Sequence, residues 1–158
     1  MKFTILNREQ AEIYEYSEPH VNISISSPKD PRAVLSPLAM GRKASLFLEF
    51  HDIDDIELNG APIIMNGIVL KEKPGQYYQD RVQCITQEQA KQIINFFNEW
   101  KSEVNLFVIN CYAGISRSSA TAAALAILCG QSDKFVFQNK KYHPNMLVYR
   151  TILNEAQK

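Results

Sequence analysis

The hydrophobic pattern predicts four short strands, three of them in the first third of the chain. Their residues are 3–6, the alternating Val21, Ile23 and Ile25, 44–50, and the unbroken apolar run 106–109. Alternation at a period of two is typical of a strand, and a short apolar run is typical of a strand buried on both faces. An acidic segment, residues 51–55, follows the third strand and favours a loop there.

Helical signals occupy four further segments. We expect helices from Asn7 through Tyr16, from Gln87 to Lys101, from Ser118 to Cys129, and after the pair Pro144-Asn145. Thr86 and Gln89 form a capping-box pattern at the start of the second helix. Strands that alternate with helices predict an α/β fold with a mainly parallel central sheet flanked by helices. A length of 158 residues suits one domain, residues 1–158.

Residues 57–82 interrupt this alternation with mixed signals. The turn pairs Asn59-Gly60, Asn66-Gly67 and Pro74-Gly75 surround one short apolar run, residues 68–70. We interpret this segment as a hairpin or as a lid-like insertion in the domain.

The amino-acid composition argues against several classes of function. Lys plus Arg and Asp plus Glu are both 17, so the net charge is zero, and no long-range field would attract nucleic acid or an anionic membrane. No apolar segment approaches the ~20 residues that span a bilayer, so we expect a cytoplasmic protein without membrane partners. The three cysteines are odd in number and lack paired metal-type spacing, which argues against a disulfide framework or a zinc site. We therefore expect neither a metal nor another cofactor.

One segment carries the candidate chemistry, and it lies between a predicted buried strand and a predicted helix. A loop from Cys111 to Arg117, with Gly114 inside it, can turn its backbone N–H groups inward to hold an oxyanion such as phosphate. The same groups would stabilise the thiolate of Cys111 as a nucleophile. The guanidinium of Arg117 can grip two phosphoryl oxygens, and the hydroxyl of Ser118 can hydrogen-bond the sulfur. The residues expected around the phosphate are Tyr112, Ala113, Gly114, Ile115, Ser116 and Arg117. Within this loop, Ser116 is expected to be a local hydrogen-bonding residue.

These residues resemble the phosphate-binding loop of the cysteine-dependent protein tyrosine and dual-specificity phosphatases. Ala-Gly-Ile-Ser-Arg-Ser, residues 113–118, is the most specific part, and residues 50–53 and 142–145 resemble a compact bacterial branch of that superfamily. The resemblance spans most of the chain except residues 57–82. It implies a tyrosine-phosphatase-like fold and hydrolysis of phosphomonoesters through a phosphocysteine. By resemblance alone, the first-choice substrate is phosphotyrosine in a protein or peptide.

The resemblance also implies a general acid, normally an Asp on a loop that follows a neighbouring strand. Asp52, directly after the strand over residues 44–50, is the first choice. Asp54 and Asp55 are expected to be solvated, and Asp80 is a weaker rival. Asn110 stands where the superfamily usually has a histidine, and an uncharged amide there would give slower turnover.

Several alternatives stay open. The chain is a non-catalytic phosphate-binding pseudophosphatase if Asn110 and the acid do not support turnover. Arsenate reduction and rhodanese-like sulfur transfer also use an anion-cradling cysteine loop. The sequence does not decide among phosphotyrosine, phosphoserine or phosphothreonine, and lipid or nucleotide phosphates, nor does it fix the oligomeric state. Cys84 and Cys129 are interpreted as core residues, with a resolving thiol for oxidised Cys111 as the alternative.

Overall fold

The computed structural model describes residues 1–54, 64–65, 68–69 and 82–158. Its strands are Lys2–Leu6 (β1), His20–Ser26 (β2), Arg42–Glu49 (β3), Ile64–Met65 (β4), Ile68–Val69 (β5), Val82–Gln83 (β6) and Leu106–Asn110 (β7). Its helices are Arg8–Glu12 (α1), Gln87–Trp100 (α2), Arg117–Leu128 (α3), Lys134–Phe137 (α4) and Met146–Ala156 (α5). All four predicted strands are present.

The central sheet has four parallel strands in the order β1-β7-β2-β3, which confirms the predicted α/β fold. Because the strands are parallel, their carboxyl ends meet at one edge. The first residue after each strand therefore lies at this edge, although the four are distant in the sequence: they are Asn7, Ser27, Phe50 and Cys111. Open parallel sheets bind ligands at such an edge.

A second, smaller sheet is antiparallel and has the order β4-β5-β6. The pairing of β4 with β5 confirms the hairpin predicted within residues 57–82. The rest of that segment, and with it the prediction of a lid, lies outside the described residues.

The two faces of the central sheet differ in chemistry, although both are buried at β2. Val21, Ile23 and Ile25 point to the apolar core formed with the helices, while His20 and Asn22 on the other face are also inaccessible. The alternation along β2 therefore separates an apolar buried face from a polar buried face. It does not separate core from solvent.

Two helices cover the apolar face for different reasons. The inward side of α3 is rich in alanine, which allows its backbone to approach β1 and β7 closely. The helix α2 contributes larger side chains, and the ring of Phe97 lies 5.2 Å from that of Phe107 on β7. Full burial of an aromatic side chain such as Phe97 contributes about 2–3 kcal/mol to folding. The capping box predicted for α2 is present: Thr86 and Gln89 exchange hydrogen bonds of 3.1 and 3.0 Å.

The first helix is shorter than predicted, because it ends at Glu12 and the prediction extended it to Tyr16. Beyond Glu12 the chain turns back towards β2, and the ring of Tyr14 packs edge-on against His20 at 5.3 Å. Ile13 is left 76% exposed, so continued helical turns would gain no buried apolar face. The four-residue helix α4 was expected to be a polar linker; its Val136 is fully buried.

Within the described residues, none of the helices combines the length and the apolar character needed to cross a membrane.

Candidate active site

The candidate nucleophile lies at the carboxyl edge of the sheet, directly after the central strand β7. Cys111 is only 2% exposed, and its Sγ lies 3.2 Å from Oγ of Ser118 in the first turn of α3. The loop between them folds back so that the two side chains meet. The predicted contact between the sulfur and the Ser118 hydroxyl is therefore confirmed.

The backbone of this loop uses its acceptors and its donors very differently. The carbonyl groups of Tyr112, Ile115 and Ser116 accept hydrogen bonds from neighbouring elements. Their donors are the N–H groups of Arg8, His143 and Asn145, at 3.1, 3.1 and 3.2 Å. By contrast, within the described residues no backbone N–H from Tyr112 to Ser119 donates a hydrogen bond to a protein acceptor. A run of unpaired donors before a helix N-terminus forms a site for an anion.

Close packing against β1 fixes the middle of the loop. Gly114 has a φ of +67°, and a Cβ atom built on it would lie 2.6 Å from the backbone nitrogen of Asn7 and 2.7 Å from the carbonyl carbon of Leu6. Only glycine fits both the left-handed conformation and this approach. The glycine predicted within the loop therefore lets the loop pack onto the junction of β1 and α1.

Arg117, at the other end of the loop, is a buried cation. Its side chain is 4% exposed, and Nη1 donates to Oγ of Ser27 at 3.0 Å and to the carbonyl oxygen of Phe50 at 2.7 Å. Nε is buried and has no hydrogen-bond partner among the described residues. Among the described residues no carboxylate pairs with Arg117. The guanidinium thus keeps one edge, Nε with Nη2, for a ligand.

Asp52 lies beside the loop, as predicted for the candidate acid. Its Oδ1 accepts hydrogen bonds from Oγ of Ser116 at 2.7 Å and from Nδ2 of Asn145 at 2.8 Å. Ser116 was expected to bond within the loop; its hydroxyl instead reaches the segment that follows β3. Three parts of the chain, the loop, the end of β3 and the start of α5, therefore converge on one carboxylate.

Asp54 is exposed, as predicted, and it also has a structural contact. Its Oδ1 accepts hydrogen bonds from the backbone N–H groups of Met146 and Leu147 at 3.1 and 3.3 Å, at the first turn of α5. A carboxylate at a helix N-terminus accepts hydrogen bonds from unpaired N–H groups, and its negative charge interacts favourably with the positive end of the helix dipole. Asp54 therefore helps to cap α5. Asp55 and Asp80, the other acid candidates, lie outside the described residues.

A small pocket opens beside Cys111. Arg8, Asp30 and Tyr112 are among the residues that line it, and Tyr112 is 69% exposed. Ala113 is exposed as well, whereas Gly114 is buried.

Asn110, the last residue of β7, is 1% exposed, and its Oδ1 has no hydrogen-bond partner within the described residues. Its side chain lies at the same pocket, next to Cys111. The residue is therefore a buried amide next to the candidate nucleophile, at the position where the superfamily named above usually has a histidine.

Three contacts of the site were not predicted from the sequence. Ser27 contacts Arg117, Asn145 contacts Asp52, and the backbone N–H of Arg8 anchors the loop. The described residues contain no group of three or more His, Cys, Asp or Glu side chains placed to hold a metal ion. No disulfide joins Cys84, Cys111 or Cys129 within the described residues.

Comparison with known proteins identifies no family for this chain. No protein-family model matches the sequence, and a search of curated proteins gives no match. The function is therefore inferred from the residues of the site and their arrangement.

Proposed function

We propose that this protein is a phosphomonoester hydrolase that works through a phosphocysteine on Cys111, and that it acts as a protein tyrosine phosphatase. The observation that carries the proposal is the loop of unpaired backbone N–H groups between Cys111 and the buried cation Arg117. A nucleophile, a set of donors and a cation meet at the carboxyl end of β7. This combination suits the transfer of a phosphoryl group.

The burial of Arg117 supports an anionic ligand. A buried charge without a countercharge is strongly disfavoured, because the protein interior solvates ions much less well than water. The two neutral acceptors, Ser27 and the carbonyl of Phe50, offset part of this desolvation. A phosphate dianion on the Nε edge would supply the missing charge and two acceptors in a bidentate pair.

In the first step, the thiolate of Cys111 attacks phosphorus in line, so that an S–P bond forms while the P–O bond to the leaving group breaks. The loop N–H groups and Arg117 stabilise the charge on the three equatorial oxygens. Asp52 gives its proton to the leaving oxygen. Because Oδ1 of Asp52 already accepts two hydrogen bonds, Oδ2 is the oxygen that carries this proton.

In the second step, water attacks phosphorus, its proton passes to Asp52, and the S–P bond breaks to give inorganic phosphate and the thiolate. The hydroxyl of Ser118, 3.2 Å from the sulfur, donates a hydrogen bond to the developing thiolate. That contact makes sulfur a better leaving group. The cycle returns every group to its starting protonation state.

The direct test uses para-nitrophenyl phosphate. We expect the wild type to hydrolyse it, Cys111→Ser to lose turnover while still binding inorganic phosphate, and Cys129→Ser to retain turnover as a matched cysteine control. A wild type that binds phosphate and never turns over would identify the pseudophosphatase alternative and refute the enzyme.

The acid assignment has its own matched pair, Asp52→Asn and Asp54→Asn. We expect only Asp52→Asn to remove the loss of kcat at high pH, since that limb reports the proton donated to the leaving group. Asp54→Asn should leave the shape of the pH profile unchanged. The same profile for both variants and the wild type would contradict the role of Asp52.

The substrate class follows from the resemblance of the loop, with phosphotyrosine in a protein or peptide as the first choice. Three cysteines that form no disulfide within the described residues suit a reducing compartment, and we place the protein in the cytoplasm on that basis. Hydrolysis rates for a phosphotyrosyl peptide, its phosphoseryl counterpart and a phosphoinositide would test the substrate. Faster hydrolysis of either of the latter two would overturn the choice of phosphotyrosine.

A further inference from the structure

Both hydrogens on one nitrogen of Arg117 are committed to the protein. Nη1 donates to Oγ of Ser27 and to the carbonyl oxygen of Phe50, and no third donor exists on that nitrogen. Two acceptors on one nitrogen fix the plane of the guanidinium as well as its position. With a single acceptor, the group would remain free to rotate about that hydrogen bond.

The two acceptors are themselves held by the sheet and by a turn. Phe50 follows β3, and its backbone N–H donates to the carbonyl of Ser26 at 3.0 Å. Ser27 follows β2 and begins a turn that is closed by a 3.0 Å hydrogen bond from the N–H of Asp30 to the carbonyl of Ser27. Lys29 in this turn has a φ of +72°, and with Pro28 before it the geometry is that of a type II turn. The anchor for Arg117 is therefore rigid.

We propose that Ser27 is a positioning residue for phosphate binding and phosphoryl transfer, a role that rests on the proposed phosphatase function. Its hydroxyl fixes the guanidinium so that the Nε–Nη2 edge faces the oxygens of the phosphate. A neutral hydroxyl does this without a carboxylate, so the positive charge of Arg117 stays available to the ligand. An acidic residue in the same place would neutralise that charge.

The test compares three single variants. Ser27→Ala removes the hydroxyl, Ser27→Thr retains it, and Ser26→Ala is a matched control from the neighbouring position, because Oγ of Ser26 has no hydrogen-bond partner within the described residues. For Ser27→Ala we expect about a tenfold loss in kcat/KM on para-nitrophenyl phosphate and a similar loss in affinity for inorganic orthovanadate. Ser27→Thr should recover most of both quantities, and Ser26→Ala should resemble the wild type.

Orthovanadate affinity separates positioning from stability, since a purely structural role for Ser27 would lower Tm without changing the affinity of the folded protein. Equal kinetics and equal orthovanadate affinity for Ser27→Ala and Ser26→Ala would overturn the proposal while the phosphatase function stands. A wild type that neither hydrolyses para-nitrophenyl phosphate nor binds orthovanadate would overturn the phosphatase function itself.

Discussion

Gly114 and Gly130 form a natural pair for measuring how tightly the candidate phosphate loop is packed. Both have a positive φ, +67° and +73°, so alanine introduces a similar backbone strain of about 1 kcal/mol at either position. Their surroundings differ. A Cβ atom at Gly130 meets no described residue within 4 Å, whereas at Gly114 it lies 2.6 Å from a backbone nitrogen and 2.7 Å from a backbone carbon.

This difference gives the expected magnitudes. Gly130→Ala should destabilise the protein by about 1 kcal/mol, from backbone strain alone. Gly114→Ala adds an overlap with rigid backbone, which raises its total to about 2–4 kcal/mol. For a domain of this size, the corresponding falls in Tm are about 3 °C and about 10 °C.

Urea unfolding and thermal melts of the two variants check these values, and neither measurement depends on an assigned activity. Activity adds a second comparison, because displacement of the loop N–H groups should lower kcat of Gly114→Ala at least about 100-fold while Gly130→Ala stays near the wild type. Equal loss of stability in the two variants would refute the close packing of the loop on the junction of β1 and α1.

Three further predictions concern single side chains. Arg117→Lys keeps the charge but loses the planar fork, so kcat/KM on para-nitrophenyl phosphate should fall about 100-fold or more, and a fall below threefold would contradict bidentate binding. Lys29→Gly relieves a left-handed residue and should raise the free energy of unfolding in urea by about 0.5–1 kcal/mol; a lower value would show that the lysine side chain stabilises the turn. Burial and a 2.7 Å hydrogen bond to Asp133 raise the pKa of Tyr149 to about 12. Its contribution to stability is therefore complete below pH 10 and lost as the pH rises to about 12, so thermal melts at pH 9 and 11 should show a smaller fall in Tm for Tyr149→Phe than for the wild type.

Elements with strong local signals were predicted well. The helix α2 starts where its capping box indicated, and its last residue, Trp100, is one before the predicted end. The two errors in the helices have different causes: a tertiary contact at the end of α1, and the shortness of α4. The edge-on packing of Tyr14 against His20 accompanies the early end of α1, and α4, with four residues and no side-chain cap, had no local signal.

In the candidate site too, the local contacts were predicted from the sequence and the contacts between remote segments were not. Cys111, Arg117 and Ser118 belong to one short loop and helix start, so their spacing was enough to predict that they meet. The partners of this loop are remote in sequence. Ser27 and Phe50 stand 90 and 67 positions from Arg117, and Asn145 stands 93 positions from Asp52. Ser27 carries no pattern of its own and reaches the site because it follows a parallel strand, whereas Asn145 had a signal as the start of α5 but none for its contact with Asp52.

Two carboxylates link the segment after β3 to the start of α5. Asp52 accepts a hydrogen bond from the side chain of Asn145, and Asp54 accepts hydrogen bonds from the first N–H groups of the helix. Asn145 also caps α5, because its Oδ1 accepts from Val148 at 3.0 Å. The folding of α5 and the placement of Asp52 are thus thermodynamically linked: a change that stabilises the helix end also raises the fraction of molecules in which Asp52 stands beside the loop. Fraying of the first turn of α5 would release the carboxylate, so residues far from the sulfur can set the populated geometry of the site.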